Sequence, residues 1–364
     1  MSLQTALEKI KPAVRGARAY TLKHLDAPVK INQNENPFDI PAPVKEAVAR
    51  AMAGKAWSRY PAFVPTELAR KLAEFSHWTP EGILVGNGSN ELIQAILTVT
   101  VEKGKRVAIP QPTFTLYELM STILGGEIQS IPLTSKLEFD LAALRSAVQS
   151  ADLTIICSPN NPTGCLIAQK DLRLLLQEAT GLVVLDEAYH EFSCQTVVPL
   201  LREFDNLVVL RTFSKAMAMA GLRVGYLLGH PALVTEISKA KLPYNLNIFS
   251  LAAAQAAVEH FELLRPQIDL LIRERERVFS ALARIPGLKP YPSHANFIAI
   301  ETAKPPGELF EALYAEGLLV RDVSRYPMLE NFLRISVGSP EENDRLLAAL
   351  QHILTSSPNL PARD

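Results

Sequence analysis

Lys215 closes a stretch in which an apolar run is followed by a cation and hydroxyl residues, Val208-Val209-Leu210-Arg211-Thr212-Phe213-Ser214-Lys215. A short apolar run of this kind is typical of a buried strand, so we expect Lys215 just beyond a strand end. A partly desolvated lysine near other cations can have a lowered pKa and attack a carbonyl group as a neutral amine. A solvated surface lysine is the ordinary alternative.

Asp186 is the second residue that could do chemistry, because the apolar run 182–185 delivers it to the end of another predicted strand. A carboxylate buried at such a place is costly unless a cation or a strong hydrogen-bond donor meets it. Asp186 could therefore face a positively charged group. A helix cap or a ligand of a divalent metal is the alternative.

Two turns add candidate binding groups. Residues 86–91, Gly-Asn-Gly-Ser-Asn-Glu, precede a helical pattern, and free backbone N–H groups at a helix start can hold a phosphate. The turn lacks both the dinucleotide fingerprint and the P-loop pattern, and an ordinary helix cap is its alternative. Residues 158–164, Ser-Pro-Asn-Asn-Pro-Thr-Gly, form a rigid turn after a strand, where open α/β sheets place ligands. A stiff surface loop is the alternative there.

Taken in order, the four segments match what an electron-sink cofactor such as pyridoxal phosphate requires. That cofactor needs a phosphate cradle, a lysine for a Schiff base, an acid opposite its pyridine nitrogen and a donor to its ring phenolate. The chain offers one candidate for each role.

The elements that must position these residues alternate between short β-branched runs and longer helical patterns. This alternation predicts an α/β fold with a mostly parallel central sheet flanked by helices, with strands at 106–109, 127–131, 152–157, 182–185, 207–210 and 223–228. One of the helices is predicted over 168–179, with its apolar residues on one face.

A long helical stretch over 249–283 contains Pro266, which we expect to kink or break it and to mark a domain junction. Beyond it, a smaller α+β unit is predicted from strands at 296–300, 318–320 and 332–337 and helices at 307–316 and 341–354. The predicted division is an N-terminal arm (1–36) that is part of the small domain, a large domain (37–248), a small domain (249–355) and a frayed tail (356–364).

Composition narrows the function class. The 364 residues are 48% apolar and 21% charged, and their net charge is −1, so no global field favours nucleic acid. No apolar run is long enough for a membrane span or a secretory leader, which predicts a cytoplasmic enzyme acting on small molecules. Three cysteines without a Cys-x-x-Cys pair argue against a disulfide framework or a structural zinc site, and we expect no metal.

From Tyr20 to Arg334 the chain resembles the fold-type I pyridoxal-phosphate aminotransferases, and within them most resembles the histidinol-phosphate aminotransferases. Besides the turns above, the resemblance rests on Asn32-Gln33-Asn34-Glu35-Asn36-Pro37, Arg59-Tyr60-Pro61, Pro112-Thr113-Phe114, Asp186-Glu187-Ala188-Tyr189, Gly221-Leu222-Arg223 and Pro292-Ser293-His294-Ala295-Asn296-Phe297. Ser89-Asn90 replaces the acidic residue often found after the glycine turn in relatives, and Gln33 stands inside the first segment. Neither changes a charge that the cofactor needs.

The resemblance implies a role for each residue around the cofactor ring. Lys215 would form the Schiff base and shuttle a proton, and Asp186 would keep the pyridine nitrogen protonated. Asn161 and Tyr189 would donate to the ring oxygen. Phe114 would stack on the ring, with Tyr117 as a less favoured substitute.

For the cofactor phosphate, the resemblance implies a mixed set of backbone, hydroxyl and cationic groups from one subunit and an aromatic residue from the other. A homodimer follows from that assignment. The residues are Ser89, Asn90, Thr212, Ser214 and Arg223, with Tyr60 reaching over from the second subunit.

The implied reaction interconverts histidinol phosphate plus 2-oxoglutarate and imidazole acetol phosphate plus glutamate, in histidine biosynthesis. Arg334 would grip the substrate anion, because its planar fork suits a carboxylate or a phosphate. Tyr20, Asn161 and Arg321 are further candidates for the substrate phosphate, although Tyr20 could be a packed aromatic and Arg321 a surface cation. An aromatic or broad-range aminotransferase, or a threonine-phosphate decarboxylase on the same scaffold, remains an alternative.

Overall fold

The computed structural model describes residues 2–19 and 25–355. The helices in these residues are α1 (Leu3–Leu7), α2 (Pro12–Gly16), α3 (Ala42–Ala53), α4 (Thr66–Ser76), α5 (Ser89–Thr100), α6 (Leu116–Leu124), α7 (Leu141–Val148), α8 (Gln169–Glu178), α9 (His190–Ser193), α10 (Pro231–Ser238), α11 (Ile248–Glu259), α12 (Phe261–Leu282), α13 (Pro306–Ala315) and α14 (Pro340–Thr355). The predicted tail, 356–364, and Tyr20 lie outside the described residues.

The strands of the described residues form three sheets. They are β1 (Val29–Lys30), β2 (Ile83–Gly86), β3 (Arg106–Gln111), β4 (Glu127–Pro132), β5 (Leu153–Cys157), β6 (Leu182–Asp186), β7 (Leu207–Thr212), β8 (Gly225–Gly229), β9 (Leu288–Pro290), β10 (Phe297–Thr302), β11 (Leu318–Leu319), β12 (Arg321–Asp322) and β13 (Phe332–Ser336).

The largest sheet has the strand order β2-β8-β7-β6-β5-β3-β4. Strands β3 to β7 pair in parallel, and β8 runs antiparallel to both of its neighbours, so the sheet is mostly parallel, as predicted. Every residue of β5 and β7 is buried, because helices cover both faces of the sheet. The carboxyl ends of β5, β6 and β7 therefore meet at one edge.

Two apolar cores lie on the two faces of this sheet. One includes residues of α3, α4, α7, α8 and α11, and the other includes residues of α5 and α10. The face predicted for the helix at 168–179 is confirmed, since Leu172, Leu175 and Leu176 of α8 are buried.

A second, smaller part is built around the antiparallel sheet β12-β13-β10-β9, with α12, α13 and α14 contributing to its core. The N-terminal arm joins this part, because β1 pairs in parallel with β11 through Val29 and Leu318. Arg334 lies on β13, opposite Arg321 of β12.

The helical stretch predicted over 249–283 is present, but its break lies at His260 and not at Pro266. Helix α12 continues through Pro266, which stands in its second turn. The missing N–H thus removes a bond near the start of the helix, while Leu264 and Ile268 on either side are buried. Helix α11, which the sequence division assigns to the small domain, packs against α3 and α4 of the large one.

Within the described part of the chain, none of the helices combines the length and the apolar character that crossing a bilayer requires.

Candidate active site

The carboxyl edge of the central sheet opens into a cavity of about 280 Å³. Twelve of the residues predicted from the sequence line it: Ser89, Asn90, Phe114, Asn161, Asp186, Tyr189, Thr212, Ser214, Lys215, Arg223, Arg321 and Arg334. Segments that lie far apart along the chain meet here because parallel strands end at the same edge.

Lys215 is half-buried in a turn three residues beyond β7. Its Nζ donates a hydrogen bond to the Gln33 carbonyl at 2.9 Å. Burial lowers the pKa of Lys215 to about 7, and the nearby Arg334 and Arg223 cations favour this shift. A large fraction of this amine is therefore neutral at physiological pH and able to act as a nucleophile.

Asp186 ends β6 and is buried. The Tyr117 hydroxyl donates to its Oδ2 at 2.6 Å, and the backbone N–H of Ala188 donates to its Oδ1 at 3.0 Å. Burial raises the pKa of Asp186 to about 6, and both donors oppose this shift. The carboxyl group is thus mostly ionised at pH 7 and can face a cation.

Tyr117 and Phe114 both line the cavity, with ring centroids 5.5 Å apart in an edge-to-face arrangement. The sequence predicts Tyr117 only as a less favoured substitute for Phe114 in stacking. The structure instead gives it a bond to Asp186, a role that sequence reasoning missed.

Tyr189 receives a hydrogen bond from Asn34 Nδ2 at 3.0 Å. Burial raises the pKa of its phenol, which therefore stays protonated. Asn34 is itself held by Ser336, whose Oγ accepts from the Asn34 N–H at 2.9 Å and donates to its Oδ1 at 3.0 Å. The sequence indicates no role for the cavity residues Gln33, Asn34 and Tyr326, although Gln33 and Asn34 lie inside the segment 32–37 on which the resemblance rests.

The turn before α5 forms a cradle. Gly88 has a φ of +75°, and a Cβ atom there would lie 2.5 Å from Arg223 Nη2. At Gly225 a Cβ atom would lie 2.4 Å from the Ser89 backbone nitrogen. Gly88 is thus required by its positive φ, and Gly225 by the close approach of the turn backbone.

Hydroxyl and cationic side chains lie next to this cradle. Arg223 Nη1 donates to Ser214 Oγ at 3.1 Å, and Thr212 Oγ1 donates to the same oxygen at 3.0 Å. Together with the start of α5, these groups are the donors that bind a phosphate in proteins.

Arg334 connects the two parts of the molecule. Its Nη1 donates to Asn161 Oδ1 at 2.5 Å, and its Nη2 donates to the Asn32 carbonyl at 2.7 Å. The guanidinium carbon lies 5.3 Å from the centroid of the Phe297 ring. The residue is buried and lines the cavity, and these contacts fix the position of its guanidinium group.

Tyr60 does not line the cavity of its own chain. Its side chain is 80% exposed, and its ring stacks on that of Tyr244 with centroids 4.5 Å apart. Its assignment to the site of a second subunit stays a prediction, and the assignment of Tyr20 concerns a residue outside those described.

A mostly parallel sheet with a lysine, an aspartate and an anion cradle at one edge defines a class of enzyme that binds a phosphorylated aldehyde cofactor. Residues 27–350 match the profile of the family described as aminotransferase class I and II, and the chain belongs to this family. The predicted fold class is thereby confirmed.

Individual relatives show similarity to one kind of aminotransferase within this family. The chain is 38% identical over 349 residues to a histidinol-phosphate aminotransferase of Chlorobium luteolum, covering 95% of this chain and 98% of the relative. It is 36% identical to the protein of that name from Chlorobaculum tepidum, covering 94% of this chain and 100% of the relative. A solved histidinol-phosphate aminotransferase from Sinorhizobium meliloti, in complex with pyridoxal 5'-phosphate, is 26% identical with a TM-score of 0.86 over 97% of this chain and 99% of that one. The resemblance stated from the sequence is confirmed.

Proposed function

We propose that this enzyme transfers an amino group between histidinol phosphate and 2-oxoglutarate, giving imidazole acetol phosphate and glutamate, as a step of histidine biosynthesis. Two relatives named histidinol-phosphate aminotransferase, which align with this chain over nearly their full length, support this reaction. The observation that carries the proposal is the pair of arginines near Lys215. Arg223 bonds Ser214 beside the cradle, whereas Arg334 bonds Asn161, so separate cations are available for a cofactor phosphate and for a substrate anion.

Pyridoxal 5'-phosphate is the cofactor of this reaction, and when bound it supplies an aldehyde and an electron-withdrawing ring that stabilises negative charge at the substrate Cα. The residues fit this group. The glycine cradle leaves space for a phosphate, Asp186 offers a carboxylate to a protonated ring nitrogen, and the protonated Tyr189 phenol can donate to a ring oxygen.

Further residues of the cavity would complete the cofactor site. The backbone of Ser89 and Asn90, the hydroxyls of Thr212 and Ser214 and the guanidinium of Arg223 would hold the phosphate. Phe114 would stack on the ring, and Asn161 would donate to the same ring oxygen as Tyr189.

Lys215 would act twice. Its neutral amine, favoured by the lowered pKa, would hold the cofactor at its aldehyde carbon with loss of water. The same Nζ would also move the proton at the substrate Cα as a general acid and base. Tyr117 and the Ala188 N–H would keep the Asp186 carboxylate oriented throughout.

Arg334 would bind the carboxylate of glutamate in one half-reaction and the phosphate of histidinol phosphate in the other, because its planar fork suits both anions. Asn161, Arg321 and Tyr20 would add contacts to the substrate phosphate. Arg321 and Arg334 both line the cavity, which supports their part of this assignment.

We also propose a homodimer in which Tyr60 enters the partner's site. Exposed aromatic clusters support this contact, since stable monomers rarely expose large apolar patches. Trp57 pairs with Phe249, and Tyr60 and Phe63 pair with Tyr244. The exposed apolar side chains of these two segments, 57–64 and 242–249, are Trp57, Tyr60, Phe63, Val64, Leu242, Tyr244 and Phe249.

The domain division of the proposal is an arm over 1–36, a large domain over 37–248 and a small domain over 249–355. Pairing of β1 with β11 supports grouping the arm with the small domain, whereas the packing of α11 favours a junction somewhat later than 249. The cytoplasmic location stays a prediction from the sequence.

A substrate panel tests the proposed function. Purified protein loaded with pyridoxal phosphate is assayed with glutamate and imidazole acetol phosphate, with glutamate and phenylpyruvate, and with threonine phosphate. We expect the highest kcat/KM for imidazole acetol phosphate. Turnover of phenylpyruvate alone, or release of CO₂ from threonine phosphate, would refute the assignment in favour of one of the alternatives.

A further inference from the structure

Glu91 holds the turn that precedes α5. Its side chain, in the first turn of the helix, reaches back so that Oε2 accepts from the Asn87 backbone N–H at 2.5 Å. The N-cap residue is Gly88, which has no side chain to cap the helix. The carboxylate therefore stabilises the turn from its outer end and leaves the N–H groups at the helix start without a capping side chain, which is the arrangement an anion needs.

A residue from a distant loop completes this arrangement. Asn245, between α10 and α11, donates from Nδ2 to the same Glu91 Oε2 at 2.6 Å. Its Oδ1 accepts from Lys241 Nζ at 2.9 Å, so the amide is held on both sides. Asn245 and Glu91 are both partly buried. The hydrogen bond from the Asn245 amide to the charged Glu91 carboxylate is therefore stronger than the same bond in open solvent.

The loop that carries Asn245 is anchored on its other side as well. Tyr244 has a φ of +52°, unusual for an aromatic residue, and stacks on Tyr60. Neither Asn245 nor Glu91 lines the cavity. The contacts of this pair lead to the turn 86–90, directly through Glu91 and by a longer bond, at 3.4 Å, from Asn245 to the Val85 carbonyl just before it.

We propose that Asn245 is a positioning residue for the cofactor phosphate, acting through Glu91 to hold the turn 86–90 in its anion-binding conformation. The inference rests on the proposed function, which assigns the phosphate of pyridoxal phosphate to this turn. Asn245 itself need not touch the cofactor. Its contribution should therefore concern the phosphate only, and not the aldehyde or the ring.

The test compares two ligands that differ only in the phosphate. Apoprotein of the wild type and of Asn245→Ala is titrated with pyridoxal phosphate and with pyridoxal, and Kd is read from the absorbance of the bound ligand. We expect Asn245→Ala to raise Kd for pyridoxal phosphate about tenfold, an effect in the range of one charge-assisted hydrogen bond. Kd for pyridoxal should stay within about twofold of the wild type, since Lys215 and Asp186 are unchanged.

Asn247→Ala is the matched control, because Asn247 lies in the same loop and caps α11 by accepting from the Ser250 N–H, without bonding to Glu91. It should leave both dissociation constants unchanged. An Asn245→Ala protein that matches the wild type, or that loses affinity equally for both ligands, would overturn the inference. Should Asn245→Ala fail to fold, Asn245→Ser provides the same comparison.

A double variant tests the route through Glu91. Whatever change Glu91→Ala causes by itself, adding Asn245→Ala should change Kd for pyridoxal phosphate by less than about twofold, because the charged acceptor is already gone and the remaining bond to the Val85 carbonyl is long, at 3.4 Å. A further tenfold loss would show that Asn245 acts by another route. Wild-type apoprotein that does not bind pyridoxal phosphate would refute the proposed function, whereas tight wild-type binding with an unaffected Asn245→Ala would refute this inference alone.

Discussion

At the scale of single residues, the surroundings of Lys215 make an ordinary lysine into a candidate nucleophile. Replacing it with alanine should lower kcat by more than about 10³-fold and abolish the absorbance band of the bound cofactor, because both the amine and the proton carrier are lost. The measurement is turnover together with a visible spectrum. A Lys215→Ala protein that keeps either property would contradict the assigned role.

The lowered pKa of Lys215 predicts how cofactor uptake depends on pH. Only the neutral amine attacks an aldehyde, and its fraction rises as the pH passes upward through about 7. The rate of uptake by the apoprotein, followed by stopped-flow absorbance, should therefore increase from pH 6 to pH 8 and then level off. A rate that continues to rise up to pH 10 would indicate a lysine with its usual pKa.

Tyr117 should hold the pKa of the Asp186 carboxyl group down. Its hydroxyl bond favours the ionised carboxylate, so Tyr117→Phe should raise the pKa of Asp186 and move the acidic limb of the kcat/KM profile to higher pH. Activity at pH 7 should fall about tenfold, as for the loss of one hydrogen bond to a charged group.

Tyr314→Phe is the control for that variant, because the Tyr314 hydroxyl bonds the Asp26 carbonyl away from the cavity. Its pH profile should match the wild type. If Tyr117→Phe also kept the wild-type acidic limb, Asp186 would not depend on this hydroxyl.

At the scale of elements, Asn160 joins the turn after β3 to the turn after β5. Its side chain accepts from Thr113 Oγ1 at 2.7 Å and donates to the Pro112 carbonyl at 2.9 Å and to Thr163 Oγ1 at 2.8 Å. Fully buried, it aligns the segments that carry Phe114 and Asn161.

Asn160→Ala leaves those partners buried and unsatisfied, so the free energy of unfolding should fall by about 1–3 kcal/mol. Urea unfolding measures the loss, and kcat should fall as the two turns separate. Asn206→Ala removes one partly buried bond to the Gly181 carbonyl and should cost at most about 1 kcal/mol without affecting kcat. Equal effects of the two variants would argue against the bridging role of Asn160.

At the scale of the whole molecule, the proposed homodimer would make each active site a property of two subunits, because Tyr60 would enter the site of the partner. Tyr60 is exposed and lies outside its own cavity, so Tyr60→Ala and Lys215→Ala subunits should complement each other. A hybrid dimer would contain one doubly defective site and one intact site.

Random mixing of the two inactive proteins, through reversible dissociation, should therefore restore about a quarter of the wild-type activity. The activity of mixtures is compared with that of each variant alone. If Tyr60 served its own subunit, no intact site would form and mixing would restore nothing.

Much of the fold and most of the candidate site could be predicted because their signals are local. The apolar runs that end at Asp186 or near Lys215 can be recognised from consecutive residues, and so can the turns rich in proline and glycine. The topology of a parallel sheet then brings the strand ends together. The break at His260 differs from the expectation because Pro266 is the stronger local signal, whereas the burial of Leu264 and Ile268 on either side accompanies a helix that continues through the proline despite the lost hydrogen bond.

The amino-acid sequence by itself determined the kinds of groups that the site contains and the elements that end beside it. Tertiary structure alone decided the contacts that set their properties: the Gln33 carbonyl on Lys215, the Tyr117 hydroxyl on Asp186 and the Asn245 amide on Glu91. These pairs are 182, 69 and 154 residues apart along the chain. A local pattern specifies an element, but which distant side chain meets a given group, and how deeply both are buried, depends on the packing of all the elements together.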